Sequence, residues 1–316
     1  MRILVTGITG FAGSHLAEQL LAEPGVELFG VNRSGRWPEE CAFLQKQTSL
    51  FACDLGNTAA AEALLREVRP QAIYHLAGYA NAGRSVREPE AAWTGNLTAT
   101  RCLYEAVLRW GGRPRILYVG SGLVYGDCTD PDRPPNEESV LRPTTPYGAS
   151  KGAADLASYQ YARAGLDIVR ARPFNHIGPR QSPEYAVAHF AQQLAAIERG
   201  RQPPVLETGN LHPRRDLTDV RDVARAYRLL LQRGRTGEAY NVGTGQAHSM
   251  QEVVDRLLAL ARVRVEVRQR GDLVRAAETN VVRADPSKLC RETGWAPAFG
   301  LEQSLADTLD YWRHRP

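Results

Sequence analysis

Within its first thirteen residues the chain runs from an apolar segment, RILVTG, directly into TGITGFAG. Five consecutive strand-forming positions followed by Gly7, Gly10 and Gly13 and then a helix-like AGSHLAEQLLAE leave few architectures open. Glycines placed between a strand and a helix allow a tight turn and let backbone N–H groups at the helix start approach a pyrophosphate. The turn predicts an α/β chain with a nucleotide site at its first strand end. Phe11 and Ala12, inside the turn, belong to the same candidate site.

The rest of the first half keeps the rhythm. Short apolar runs recur at VELFGV, AIYHLAG, RILYVG and LDIVRARPF, separated by stretches long enough for the helical crossovers of a parallel sheet. After Phe174 the segment HIGPRQSP breaks the pattern and helices dominate. One of these opens with the capping box Ser249–Glu252 ahead of VVDRLLALA. The expected fold is a Rossmann-type, doubly wound parallel sheet over residues 1–175, with a smaller C-terminal α/β lobe over 176–316. A segment near 215–245 is expected to return to the first domain.

The end of the second run, VNRSGR, bears on cofactor choice. An acidic residue there accepts from a ribose 2′-hydroxyl, whereas an arginine grips a 2′-phosphate. Asn32, Arg33, Ser34 and Arg36 include no acid, which favours NADPH, and use of NADH stays open because the chain is rich in arginine. Asp54 and Leu55, after a short third strand, suit the adenine edge.

Of 39 basic residues only Lys46, Lys151 and Lys288 are lysines. Against that drift toward arginine, the lysine in TTPYGASKGAADL stands out. Tyr147 and Lys151 lie four apart and share a helix face. A tyrosine titrates too high to exchange protons readily at neutral pH, and a neighbouring ammonium favours its phenolate. Ser121, in SGLVYG after a strand, supplies a hydroxyl at the neighbouring strand end.

Net charge is a mild +4 without a basic block, which speaks against nucleic acid. No apolar run has the length of a membrane span. Cys41, Cys53, Cys102, Cys128 and Cys290 form no CxxC or metal-ligand spacing and read as reduced thiols of a cytoplasmic protein.

Taken together, TGITGFAG, AIYHLAG, SGLVYG and Tyr147-x-x-x-Lys151 resemble the extended short-chain dehydrogenase/reductase family over nearly the whole chain. The resemblance implies that Ser121 bonds the reacting oxygen, Tyr147 exchanges its proton and Lys151 tunes Tyr147. Leu76, Ala77, Gly78 and Asn96 would line the cofactor. RPFNHIGPRQ, GNLHPRRDLTDVRD, YNVGTG and VRAAE are similar to the branch acting on GDP-mannose derivatives. A GDP-sugar partner is implied, with Ser85 at the sugar, Asn175, Arg180 and Arg215 at the diphosphate and Arg275 and Glu278 at the nucleoside ribose. A homodimer is a further family expectation.

Members of this branch that act as 4,6-dehydratases carry a glutamate where this chain has Leu123. Leucine transfers no proton, which argues against dehydration and leaves hydride exchange at one carbon. The closest resemblance is to the reductases of GDP-4-keto-6-deoxy-D-mannose, which yield GDP-D-rhamnose. Some of these carry an acid at that position, so a 4-epimerase and, less readily, a dehydratase or a non-catalytic NADP(H) sensor remain open.

Overall fold

The computed structural model describes residues 1–126, 133–271 and 281–315. Its first half alternates as follows: β1 (Arg2–Thr6), α1 (Phe11–Leu21), β2 (Glu27–Asn32), β3 (Thr48–Ala52), α2 (Thr58–Val68), β4 (Ala72–His75), the short α3 (Ala82–Ser85) and α4 (Pro89–Trp93), α5 (Ala99–Trp110), β5 (Arg115–Val119), α6 (Pro146–Arg163) and β6 (Asp167–Pro173). The second half holds β7 (His176–Ile177), α7 (Ala186–Glu198), β8 (Val205–Thr208), β9 (Arg214–Asp216), β10 (Thr218–Asp219), α8 (Val220–Arg233), β11 (Ala239–Val242), β12 (Ala247–Ser249), α9 (Met250–Leu260), β13 (Glu266–Gln269), β14 (Val281–Val282), α10 (Ser287–Thr293) and α11 (Leu301–Arg313).

Seven strands form one sheet in the order β11-β6-β5-β4-β1-β2-β3, with parallel pairing throughout. Strands covered on both faces read as continuous apolar runs, and β4 is buried at every position. Leu16, Leu20, Val223 and Tyr227 of α1 and α8 pack on one face with Val5 and Leu117. Leu65, Leu103, Tyr104 and Tyr161 of α2, α5 and α6 cover the other with Ile73 and Ile116. Strand order reverses between β1 and β4, where open sheets of this kind present their ligand crevice.

β11 and α8 arise from the second half of the chain yet complete this sheet and its cover. A separate apolar cluster, including Phe190, Leu194, Leu206, Val254, Leu257 and Leu305, builds the smaller lobe from α7, β8, α9 and α11. The capping box forms as its spacing predicts: Ser249 Oγ accepts the Glu252 N–H at 3.1 Å and Glu252 Oε2 accepts the Ser249 N–H at 2.6 Å. Among the described residues no helix is long and apolar enough to cross a membrane.

Candidate active site

The glycine turn joins β1 to α1. Gly7 has φ +73°, and a side chain there would meet the Ala77 backbone nitrogen at 2.9 Å. A Cβ on Gly13 would collide with the Gly7 carbonyl oxygen, so the helix can approach the turn this closely only with glycine at 13. The N-cap of α1 is Gly10, which has no side chain to occupy the helix N–H groups, and its first turn holds no acid. Such an end favours an anion. The Phe11 ring stacks on His176 at 5.6 Å between centroids, tying the turn to the second half of the chain. Ala12 packs at the edge of the core.

At the end of β2 the Asn32 side chain organises the loop. Its Oδ1 accepts the N–H groups of Ser34 and Gly35 at 3.1 and 2.6 Å, and its Nδ2 donates to the Arg36 carbonyl at 3.0 Å. Arg33 and Arg36 are both exposed, and neither guanidinium is held in an ion pair within this loop. Asp54 is exposed and turns the chain by accepting the Gly56 N–H at 3.0 Å, while Leu55 is buried.

Ser121, Tyr147, Lys151 and Asn96 come together from the segment just after β5, from α6 and from a π-helical turn over Thr94–Thr98. A π turn shifts the helical register locally and is frequent at functional sites. Ser121 caps the 3₁₀ turn Gly122–Tyr125 by accepting the Leu123 N–H at 3.1 Å, and its side chain is the polar group that acts on the Tyr147 phenol. Burial pushes the Tyr147 phenol above its usual value and Ser121 pulls it down. Burial brings the Lys151 ammonium down to about 8. Its Nζ donates to the Val119 carbonyl at 2.9 Å and lies 5.7 Å from the Tyr118 ring centre. A Cβ on Gly78 would lie 2.6 Å from Asn96 Oδ1 and 3.4 Å from Lys151 Nζ, so this open glycine borders both side chains. Leu76, partly buried, precedes it at the exit of β4. Leu123, half-buried, brings no titratable group to the cluster.

The residues expected at the nucleotide sugar are more dispersed. Ser85 is fully buried, accepts the Tyr147 N–H at 3.2 Å and donates to the Ala82 carbonyl at 2.7 Å. With Thr145 accepting the Gly148 N–H at 3.1 Å, it holds the start of α6. Asn175 is exposed, and its carbonyl accepts from the Thr218 N–H at 3.0 Å. Arg180 stands apart from the cluster: its guanidinium pairs with Glu18, bonds His15 Nδ1 at 2.7 Å and lies over the Phe43 ring. Two acceptors on α1 and an aromatic face draw it there. Arg215 sits on β9, where its Nη1 donates to the Arg214 carbonyl at 2.9 Å. Arg275 and Glu278 lie outside the described residues.

Sequence reasoning did not single out Asp155, which pairs with Arg170 at 2.5 Å and Arg172 at 2.7 Å beneath α6. It also passed over Asp216, whose carboxylate accepts from Thr244, Gly245 and Ala284 N–H groups at 2.9, 2.9 and 3.2 Å. Arg170 and Arg172 in the otherwise apolar strand LDIVRARPF were the available signal for the first, since buried charges are kept with partners.

The chain matches the GDP-mannose 4,6 dehydratase family over residues 4–308. It is 34% identical to GDP-6-deoxy-D-mannose reductase of Pseudomonas aeruginosa, covering 99% of this chain and 98% of that one. It is 30% identical to UDP-glucose 4-epimerase of Mycolicibacterium smegmatis, covering 100% and 99%. Among solved structures it superposes on RMD from Pseudomonas aeruginosa complexed with NADPH with a TM-score of 0.86 at 33% identity, covering 99% of both chains. For the Thermus thermophilus UDP-glucose 4-epimerase complex with NAD the TM-score is 0.88 at 32% identity, again over 99% of both. The chain therefore belongs to the GDP-mannose 4,6 dehydratase family of extended short-chain dehydrogenases/reductases, enzymes of the NAD(P)-dependent oxidoreductase type that act on nucleotide sugars.

Proposed function

We propose that the protein reduces the C4 keto group of GDP-4-keto-6-deoxy-D-mannose with NADPH, giving a GDP-6-deoxyhexose, GDP-D-rhamnose. The observation that carries this reading is the composition of the cluster: one hydroxyl, one phenol and one ammonium, with the apolar Leu123 beside them. Reduction of a carbonyl needs one proton at one oxygen, which such a set can supply. Elimination of water across a neighbouring bond needs a further acid/base, and Leu123 is none.

The residues present fit a dinucleotide. The uncapped start of α1 and the close glycine turn would hold the pyrophosphate, and the exposed Arg33 and Arg36 guanidinium groups a 2′-phosphate. Gly78 leaves open the space between Asn96 and Lys151 where the nicotinamide end would lie. When bound, NADPH supplies hydride to the carbonyl carbon. Ser121 and Tyr147 would bond the carbonyl oxygen, Tyr147 would pass its proton there, and Lys151 would stabilise the resulting phenolate. Identity to the Pseudomonas aeruginosa reductase supports this substrate. Asn175 and Arg215, with Arg275 and Glu278, would contact the GDP moiety. Two copies would pair through α5 and α6, where Leu108, Leu156 and Tyr159 are exposed, and sedimentation of the purified protein checks this.

A second reading, 4-epimerisation, is favoured by the similarity to UDP-glucose 4-epimerases. Absorbance of NADPH after mixing with freshly made GDP-4-keto-6-deoxy-D-mannose separates the two. Rapid loss with a GDP-deoxyhexose product supports reduction. Interconversion of unreduced nucleotide sugars without added cofactor replaces it with epimerisation.

A further inference from the structure

A chain of hydrogen bonds through buried side chains runs beneath the cluster, and the direction of every bond in it follows from the chemistry of its ends. The Asn96 carbonyl oxygen can only accept, so the Thr100 hydroxyl hydrogen, 2.6 Å away at Oγ1, points to it. His75 Nε2 lies 3.0 Å from the same Oγ1 and must therefore carry a proton and donate. Burial, with the Lys151 charge, holds this imidazole down to about 3, hence neutral. Its bare Nδ1 then accepts from Thr6 Oγ1 at 2.8 Å, and Thr6 Oγ1 accepts the Ala77 N–H at 3.0 Å. Beyond Asn96, Oδ1 accepts the Tyr79 N–H at 2.9 Å and Nδ2 donates to Ser150 Oγ at 2.9 Å. Ser150 in turn donates to the Tyr147 carbonyl at 2.9 Å. Thr6, His75, Asn96, Thr100 and Ser150 are each no more than 1% exposed.

We infer that His75 is a positioning residue, a one-donor, one-acceptor bridge that sets the distance between the turn at Ala77 and Asn96, and through Ser150 the backbone of Tyr147. The Nε2–H tautomer orients both threonine hydroxyls. It thereby holds the π turn in the register that aims one end of the Asn96 amide at the Tyr79 N–H and the other at α6. A side chain lacking Nδ1 leaves the buried Thr6 hydroxyl hydrogen without its acceptor, one lacking Nε2 removes the donor to Thr100 Oγ1, and either frees the turn to shift. The inference rests on the proposed reductase reading for its kinetic readout alone.

The test compares Thr100→Val, Thr100→Ser, His75→Leu and the His75→Leu/Thr100→Val double variant. At saturating NADPH and keto sugar, Thr100→Val and His75→Leu are expected to lower kcat about tenfold with KM within about twofold, because misplacement acts on the reacting geometry. Thr100→Ser restores most of kcat, and the double variant is no worse than the weaker single, as for two members of one chain. Independently of any substrate, ¹⁵N NMR should find His75 neutral and protonated at Nε2 from pH 5 to 9. Wild-type kcat in folded Thr100→Val, additive losses in the double variant, or an Nδ1–H tautomer would each overturn the inference. If His75→Leu does not fold, the Thr100 pair and the tautomer decide it. If wild-type protein leaves NADPH unoxidised, the reductase reading falls and the tautomer still decides the direction of the chain.

Discussion

Gly78 and Asn96 approach so closely that a methyl group on residue 78 would stand 2.6 Å from the Asn96 amide oxygen, with Lys151 Nζ 3.4 Å away. That oxygen is fixed by the Tyr79 N–H, so it cannot retreat without breaking that bond. Gly78→Ala should therefore lower kcat/KM by about tenfold or more through displaced geometry. Steady-state kinetics together with thermal melting checks this; loss of melting temperature without loss of turnover in the folded protein would contradict it.

Tyr147 is placed to give up a proton beside Ser121. Tyr147→Phe keeps the ring and removes the hydroxyl, so NADPH binding followed by fluorescence should persist while kcat falls by about 100-fold or more, the usual worth of a general acid. Full turnover in this variant would remove Tyr147 from the mechanism.

Arg33 and Arg36 extend from a loop that Asn32 organises, with Ser34 Oγ accepting the Arg36 N–H at 3.3 Å. Replacing both with alanine removes two charged donors from the position of a 2′-phosphate. NADPH affinity is expected to weaken about 10- to 100-fold, from about 1.5–3 kcal/mol for a hydrogen bond to a charged group, with NADH affinity little changed. Calorimetric titration with both cofactors measures the difference, and parallel losses would assign the arginines to another task.

Lys151 is buried and brought down to about 8 from an ordinary 10.5. Between these values the unfolded chain binds the proton that the folded chain has released, so stability attributable to this group rises with pH across that window. Below it both states are protonated and the folded state bears the whole cost of burial, about 3 kcal/mol at 1.36 kcal/mol per pKa unit. Lys151→Met should consequently be inactive yet more stable than wild type at pH 7, with the gap narrowing toward pH 10. Urea unfolding at pH 7 and 9.5 tests the sign.

Asp155 is fully buried between Arg170 and Arg172, and the latter also donates to Tyr125 Oη at 2.8 Å. Removing the carboxylate strands two buried guanidinium groups. Asp155→Ala should lose about 3–5 kcal/mol of unfolding free energy in urea titration. A loss below 1 kcal/mol would mean that water reaches the pair.

What could be read from the sequence was local. Gly7, Gly10 and Gly13 announce the turn because the strand, the glycines and the helix they connect are contiguous. Tyr147 and Lys151 declare one face because helical spacing alone sets it. The capping box at Ser249 is legible for the same reason. The sheet itself followed from alternating runs, whose period is a property of neighbouring residues.

Tertiary structure decided the rest, because the deciding partners are distant in sequence. Ser85 suggested a substrate contact, yet its hydroxyl receives the Tyr147 N–H from 62 positions away. Arg180 suggested a phosphate contact, yet Glu18 and His15 on α1 hold it across more than 160 positions. His75 looked like part of an apolar strand until strand order set β4 beside β1 and brought Thr6 to its ring. Propensity and spacing specify what each segment becomes. Which polar group meets which is settled only when the sheet closes and burial requires each donor to find an acceptor.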